Sequence, residues 1–321
     1  MRALVTGAGG FLGSQVVCAL LERGHQVRAV LRPASGEPPA SWIGKAQIVR
    51  GDLRSPREAE KWFEGVDVLV HLAARVRGSA EAQFYGTVVG TEKMLEAMKR
   101  AGLTRHVVLA SSFSVYDWTA AKRSLNEETP VESKPYERDG YAIAKIWQER
   151  IVRQACQENG WTLTTLRPGF IYGPGGPEIS WAGFKVGPVR LVVAPSSRLP
   201  LTHVDNCAQA FADASEKGVE GTFNVVDDEI VTARQYASRL FEKTPPLRQV
   251  PFPYVLGLVL AYTAQLVSRL LFPPKGGKLP GFLIPRRYRA RFRPLLFENR
   301  RVKEALGWSS KPRFSAGCAV L

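Results

Sequence analysis

A three-residue apolar run, Ala3-Leu4-Val5, leads straight into Thr6-Gly7-Ala8-Gly9-Gly10-Phe11-Leu12-Gly13, and the reading of this stretch decides the fold. A buried strand that breaks into a glycine-rich turn and restarts as a helix gathers unpaired backbone N–H groups and a helix N-terminus at one point, which attracts a pyrophosphate. Gly7 permits the tight turn, Gly10 lets the backbone approach the phosphates, and Gly13 lets a helix over 11–23 pack closely against its strand. The spacing, Gly-x-x-Gly-x-x-Gly, is one residue longer in its first gap than the common dinucleotide fingerprint. The motif therefore needs support from the rest of the chain.

Outward from the turn, Gly24 stops the first helix and 25–31 reads as a second strand. Where that strand ends, an acidic residue would hold the ribose hydroxyls of NAD, but the chain offers Leu31 and then Arg32, whose guanidinium can pair with a 2′-phosphate. That favours NADP over NAD, against the plainer reading of an arginine at a strand end. Residues 48–53 read as a third strand with Asp52 at its carboxyl end, either in reach of the adenine edge or forming the turn beside Gly51. An amphipathic helix over 57–63 leads to the apolar strand 66–72 and to His71-Leu72-Ala73-Ala74. The small residues leave room for a ligand across the sheet, while His71 reads as packed rather than as an acid or base. Helix 91–100, strand 106–110 and Ser111-Ser112 follow. This alternation means right-handed crossovers and an α/β, doubly wound parallel sheet, with its ligand crevice at the carboxyl ends of the strands.

The 321 residues are 45% apolar and 23% charged, an ordinary globular balance. Cys18, Cys156, Cys207 and Cys318 lie far apart with no C-x-x-C pair, so neither a metal site nor a disulfide framework is expected. A strand that begins almost at Met1 leaves no room for a signal peptide, so a reducing, cytoplasmic setting is the expectation. The formal charge of +15 is unevenly spread: between Lys275 and Arg313 twelve Lys/Arg stand against Glu298 and Glu304 alone.

A second constellation is Tyr141-Ala142-Ile143-Ala144-Lys145, in a stretch that continues helically to about 158. Four-residue spacing puts Tyr141 and Lys145 on one helix face. An ammonium beside a phenol lowers the tyrosine pKa from about 10 toward working pH and makes a usable general acid or base. Tyr136 is the poorer candidate, because Gly140 stands where its ammonium would have to be.

Together these motifs resemble the extended short-chain dehydrogenase/reductases, the group that includes nucleotide-sugar epimerases and dehydratases, 3β-hydroxysteroid dehydrogenases and dihydroflavonol reductases. The residues that carry the resemblance are the glycine turn, Gly51-Asp52-Leu53, His71 to Ala74, Ser111-Ser112 ahead of Val115-Tyr116, Tyr141 with Lys145, Leu166-Arg-Pro-Gly-Phe-Ile-Tyr-Gly-Pro174, and His203-Val-Asp205. The closing stretch Asn299 to Trp308 also resembles the family's usual C-terminal helix. The resemblance implies a Rossmann fold and assigns roles by position. Tyr141 would pass the proton, Lys145 would lower its pKa and hold the nicotinamide ribose, and Ser112 would hydrogen-bond the reacting oxygen. Residues alone give Ser111, Ser112 and Ser114 similar odds; the choice of Ser112 rests on its place three residues before Val115-Tyr116. Pro168 and Phe170 would pass beside the nicotinamide. Phe11, Leu12 and Leu53 complete the cofactor-contacting set with Gly7, Gly10, Gly13, Arg32, Asp52, Ala73, Ala74 and Lys145.

Departures from the family pattern narrow the substrate. Ser112-Phe113-Ser114 stands where 4,6-dehydratases carry Thr-Asp-Glu, so the carboxylates for eliminating water are missing. Phe170 stands where sugar-nucleotide enzymes place an asparagine that donates to a substrate phosphate. Thr87 replaces the family's usual asparagine, which puts one cofactor-side hydrogen bond in doubt.

The expected layout is a dinucleotide-binding domain over 1–168 with a returning segment 201–226, and a smaller substrate cap over 169–200 and 227–321 that includes Trp181 and Phe184. Residues 252–272 form an apolar run interrupted by Gln265, Ser268 and Arg269, followed by Lys275, Lys278 and the arginine cluster 286–293. A capping helix over the cleft is one reading. A helix lying in the headgroup region of a membrane, with the arginines on anionic lipid, is the other. The leading expectation is an NADP(H)-dependent oxidoreductase, with NAD as the alternative coenzyme, that interconverts a ketone and a secondary alcohol on an apolar or lipid-like small molecule. A nucleotide-sugar epimerase with retained NAD and a non-catalytic dinucleotide sensor are the alternatives. No nucleic-acid partner is expected, and the resemblance implies a homodimer.

Overall fold

Strand segments rich in Val, Leu and Ala form the centre of the molecule because both of their faces are covered. A computed structural model describes residues 1–176, 183–240, 248–272 and 279–317. Trp181, Lys275, Lys278 and Cys318 lie outside them. The chain runs β1 (Arg2–Thr6), α1 (Phe11–Glu22), β2 (Gln26–Leu31), β3 (Ala46–Arg50), β4 (Val68–His71), α2 (Ala80–Phe84), α3 (Gly90–Ala101), β5 (His106–Ala110), β6 (Ser124–Leu125), α4 (Gly140–Asn159), β7 (Thr162–Pro168) and β8 (Phe170–Tyr172). It continues through β9 (Phe184–Val186), β10 (Val189–Val193), β11 (Leu201–His203), α5 (Val204–Lys217), β12 (Gly221–Val225), α6 (Ala233–Leu240), β13 (Arg248–Phe252), α7 (Tyr254–Leu271), α8 (Pro285–Phe292), β14 (Leu296–Phe297) and α9 (Arg300–Leu306).

Seven strands form one parallel sheet in the order β12-β7-β5-β4-β1-β2-β3. This is the doubly wound arrangement expected from the alternation, and the strand order reverses between β1 and β4. Successive side chains point to opposite faces. Ala3, Val5 and Val70 pack with Val16, Leu20 and Phe211 of α1 and α5, whereas Leu4 and Leu69 pack with Met94, Met98 and Val152 of α3 and α4. Among the described residues the remaining strands form small sheets: β9, β10 and β13 in one, β8 with β11 in another, and β6 with β14 in a third.

Two expectations are corrected here. Residues 57–63 form no α-helix; Glu58 adopts φ 49° and a single 3₁₀ turn spans Ala59–Phe63, with Phe63 fully buried. Pro56 before it and Gly65 after it leave too few residues to repay helix nucleation. In the arginine cluster of α8, three members are turned to protein partners and not outward, whereas Arg289 stands beside Tyr262. Arg286 bridges Glu132 at 2.6 Å and Glu137 at 2.7 Å, Arg287 donates to the Arg138 carbonyl at 2.8 Å, and Arg293 donates to the Trp118 carbonyl.

Candidate active site

The glycine turn joins β1 to α1 at the reversal point. Gly7 has φ 70°, and a Cβ there would come within 2.8 Å of the Ala73 nitrogen, so glycine is required both by backbone conformation and by the closeness of β4. The Gly10 N–H closes the turn on the Gly7 carbonyl at 2.9 Å. A Cβ on Gly13 would meet the Gly7 carbonyl oxygen at 2.1 Å, so Gly13 presses α1 against the turn itself. The N–H groups of Phe11 and Leu12 lie in the first helical turn with no carbonyl one turn back. No acidic residue and no side-chain cap stands there. This end of α1 suits a diphosphate.

Arg32, just beyond β2, is exposed, and its guanidinium has no hydrogen bond or ion pair among the described residues. Asp52 is paired with Arg54: its Oδ1 accepts the Arg54 N–H at 3.0 Å and Nε at 2.9 Å, and this pairing holds the carboxyl below the usual range. Asp52 thereby forms its own turn, one of the two readings open for it. Leu53 packs at the start of α3, its Cβ 3.4 Å from where a Cβ of Gly90 would stand. Thr87, in a π-turn ahead of α3, accepts the Arg75 N–H at 3.0 Å.

The start of α4 is shaped by Gly140, where a Cβ would lie 2.4 Å from the Gln83 Oε1 and 2.7 Å from the Ala80 Cα. Asp139 caps the helix by accepting the Ala142 N–H at 3.0 Å. This holds Tyr141 beside the end of β5. Burial pushes its phenol up to about 12, and the Ser112 hydroxyl that hydrogen-bonds it pulls weakly the other way. Tyr136 is 76% exposed.

Lys145 does not act on Tyr141 as the spacing implied. Its ammonium donates to the Ala110 carbonyl at 2.6 Å and to Gln148 Oε1 at 2.8 Å, and burial lowers it to about 7. The reason is that the carboxyl end of β5 and the next turn of α4 offer acceptors to a buried cation, so the ammonium turns to them.

Gln148 belongs to a chain of buried polar groups that links the lysine to the glycine turn. Its amide donates to the Ala73 carbonyl at 3.1 Å and to Thr91 Oγ1 at 2.9 Å. Thr91 gives its only proton to the Thr87 carbonyl at 2.6 Å, so His71 Nε2, 2.9 Å from Thr91 Oγ1, must donate to it. His71 Nδ1 then accepts from the Thr6 hydroxyl at 2.8 Å. Burial lowers the imidazole to about 3, so it is neutral. On the other side of α4, Arg167 donates to both oxygens of Glu149 at 2.8 and 2.6 Å, with both side chains buried, and its guanidinium stacks over Tyr116 at 4.6 Å. This ties the end of β7 to the helix that carries the phenol. Pro168 ends β7 and Phe170 opens β8, where it borders a void of about 10 Å³ with Trp118, Arg198, Phe292, Arg293 and Phe297.

Sequence reasoning did not anticipate Gln148, Thr6, Thr91 or the Glu149–Arg167 pair. A signal for part of this existed: Thr6 and His71 end adjacent strands and stand directly across from each other in register.

Residues 3–225 match the NAD dependent epimerase/dehydratase family. The chain belongs to that family. Membership makes it an NAD(P)-dependent oxidoreductase in the broad sense, since both reduction and epimerisation run through hydride exchange with the nicotinamide. The 2-alkyl-3-oxoalkanoate reductase of Stenotrophomonas maltophilia is 31% identical over 65% of this chain, and the match spans 64% of that reductase's length. The 4-hydroxy-2-methyl-3-oxo-4-farnesyl-3,4-dihydroquinoline-1-oxide ketoreductase of Stigmatella aurantiaca is 28% identical over 85% of this chain and 82% of its own. A UDP-glucuronic acid 4-epimerase from Bacillus cereus, solved with NAD, superposes with a TM-score of 0.72 over 100% of this chain and 97% of its own at 18% identity, a likeness of fold.

Proposed function

We propose that this family member is an NADP(H)-linked oxidoreductase that interconverts a ketone and a secondary alcohol on an apolar small molecule. The observation that carries the reading is the meeting of the Ser112 hydroxyl with the Tyr141 phenol at the carboxyl-end crevice. A phenol held near 12 is protonated at neutral pH, which suits donation to a carbonyl oxygen that gains charge during reduction. Ser112 orients that oxygen. After its bonds to Ala110 and Gln148, the Lys145 ammonium keeps one donor, which we assign to the ribose of the coenzyme. When bound, the dinucleotide supplies the hydride.

The choice of NADP rests on Arg32, an unpaired guanidinium at the end of β2. The apolar substrate rests on Phe170, whose ring cannot donate to a substrate phosphate, and on relatives named for alkyl- and farnesyl-bearing ketones. Phe113 and Ser114 offer no carboxylate for dehydration.

The test is turnover of NADPH and NADH against long-chain 3-oxo acids, ring ketones and UDP-sugars. Consumption of NADPH with an apolar ketone is expected, and Arg32→Asp should turn the preference toward NADH. A protein that keeps NAD through purification and interconverts sugar nucleotides without net NADPH use overturns the reading in favour of an epimerase.

A further inference from the structure

Helix α7 is built inside out for a protein surface in water. At 100° per residue, Val255, Leu256, Val259, Leu260, Tyr262, Leu266, Val267, Leu270 and Leu271 fall on one arc of about 180°, broken only by Thr263. These side chains are 47–69% exposed, and Phe272 beyond the helix is 58% exposed. Gly257, Ala261, Ala264, Gln265 and Ser268 occupy the opposite arc, where Gly257, Ala261 and Ser268 are buried. A water-facing cap helix would show the reverse order. The exposed apolar area is on the order of 1,000 Å², above the few hundred usual for the largest patch on a soluble monomer.

The inward face is fixed. A Cβ on Gly257 would stand 2.0 Å from the Tyr288 hydroxyl, which donates to the Tyr254 carbonyl at 3.1 Å, and the rings of Tyr254 and Tyr288 stack at 5.5 Å. A helix held to α8 by backbone approach cannot leave it to cross a bilayer. It can lie flat.

The edge of the apolar arc is basic. Arg269 is exposed with no ion pair among the described residues, and the Arg289 guanidinium sits 5.8 Å over Tyr262. Both line a cavity of about 200 Å³ between α7 and α8, together with Tyr262, Gln265 and Arg286. Glu137, also on its wall, is taken by Arg286 at 2.7 Å.

We propose that the outward face of α7 seats in the headgroup–acyl boundary of an anionic lipid leaflet, with a lipid phosphate in the Arg269–Arg289 notch. Charge decides between occupants. A second copy of this face would bring like-charged arginine margins toward each other, whereas an anionic leaflet complements them. The inference stands independently of the reaction assigned above.

Flotation of the full chain with phosphatidylcholine vesicles, without and with a fraction of phosphatidylglycerol, at low and at high salt, tests it. Binding should favour the anionic vesicles and weaken with salt without vanishing, because the apolar part is not screened. Leu266→Glu with Leu270→Glu should lower it about tenfold or more, since charges would enter the lipid boundary. Arg269→Ala should lower it about fivefold, on anionic vesicles only. The milder pair Leu266→Ser and Leu270→Ser, checked by thermal melting and NADPH binding, guards against misfolding of the glutamate variant. A chain that floats with neither vesicle, or floats as well with the variants, overturns the proposal. So does a dimer in free solution that the glutamate variant splits, which would make the arc a contact between copies.

Discussion

Helices α4 and α7 have 20 and 18 residues, and both place a glycine where a neighbour presses closest: Gly140 against Ala80 and Gly257 against Tyr288. They differ in what the opposite faces carry. In α4 the buried face holds Lys145, Gln148 and Glu149, each with a named partner, and the exposed face is charged. In α7 the fully buried residues are the small Gly257, Ala261 and Ser268, and apart from the partly buried Tyr254 and Leu258 the large apolar side chains point away. The contrast teaches that burial in this protein follows the neighbour and not hydrophobicity. Polar groups go inside where β5, β7 and β4 supply acceptors and charges; most leucines of α7 stay outside, where α8 leaves room for Gly257, Ala261 and the partly buried Tyr254 and Leu258.

The comparison is broken or sharpened by four measurements, in falling order of effect. Tyr141→Phe removes the proton carried on the α4 face and should cut kcat about 10³-fold while coenzyme affinity holds; activity within tenfold of the parent would remove α4 from the chemistry. Gly257→Val should force Tyr288 off the inward face of α7 and destabilise the protein by about 3 kcal/mol in urea unfolding, and an unchanged midpoint would mean that α7 is not seated there.

The third concerns pH. Burial holds His71 at about 3 and His106 at about 4, below the ordinary imidazole value of 6.5. The folded chain therefore binds fewer protons than the unfolded chain in that window, so stability is complete above pH 6.5 and falls as the pH drops toward 3. From His71 alone the loss between roughly pH 6.5 and pH 5 should be about 2 kcal/mol, and His71→Gln should flatten the slope. A slope untouched by that change would contradict the neutral His71 between Thr6 and Thr91. The smallest effect belongs to Leu256→Ser, on the outward face of α7, which should move stability in water by no more than about 0.5 kcal/mol. A loss of about 2 kcal/mol would show that this leucine is covered by protein.

Much of the fold was legible because its signals are local. Gly7, Gly10 and Gly13 lie within seven residues, and the requirement they meet, a turn tight enough to let β4 approach, is a backbone property of that segment. The Tyr141–Lys145 spacing was equally local, and the helix is there. What the lysine touches was not legible. Its acceptors are Gln148 and a carbonyl 35 residues away, and no pattern in α4 states which strand end will stand opposite. The arginines of 286–293 misled for the same reason: a charge run reads as an exposed face, but Glu132 and Glu137, about 150 residues earlier, were positioned to receive Arg286.

The sequence by itself determined the parallel doubly wound sheet, the place of the glycine turn and the helix that carries Tyr141 and Lys145 one turn apart, since each depends on contacts over a few residues or on a repeating period. Only the tertiary structure decided that Lys145 is held by Gln148, that His71 is neutral and links the turn to the lysine, and which side of α7 faces outward. These depend on which distant segments share a low-dielectric interior, where a charge keeps its proton or loses it according to the partner that packing supplies.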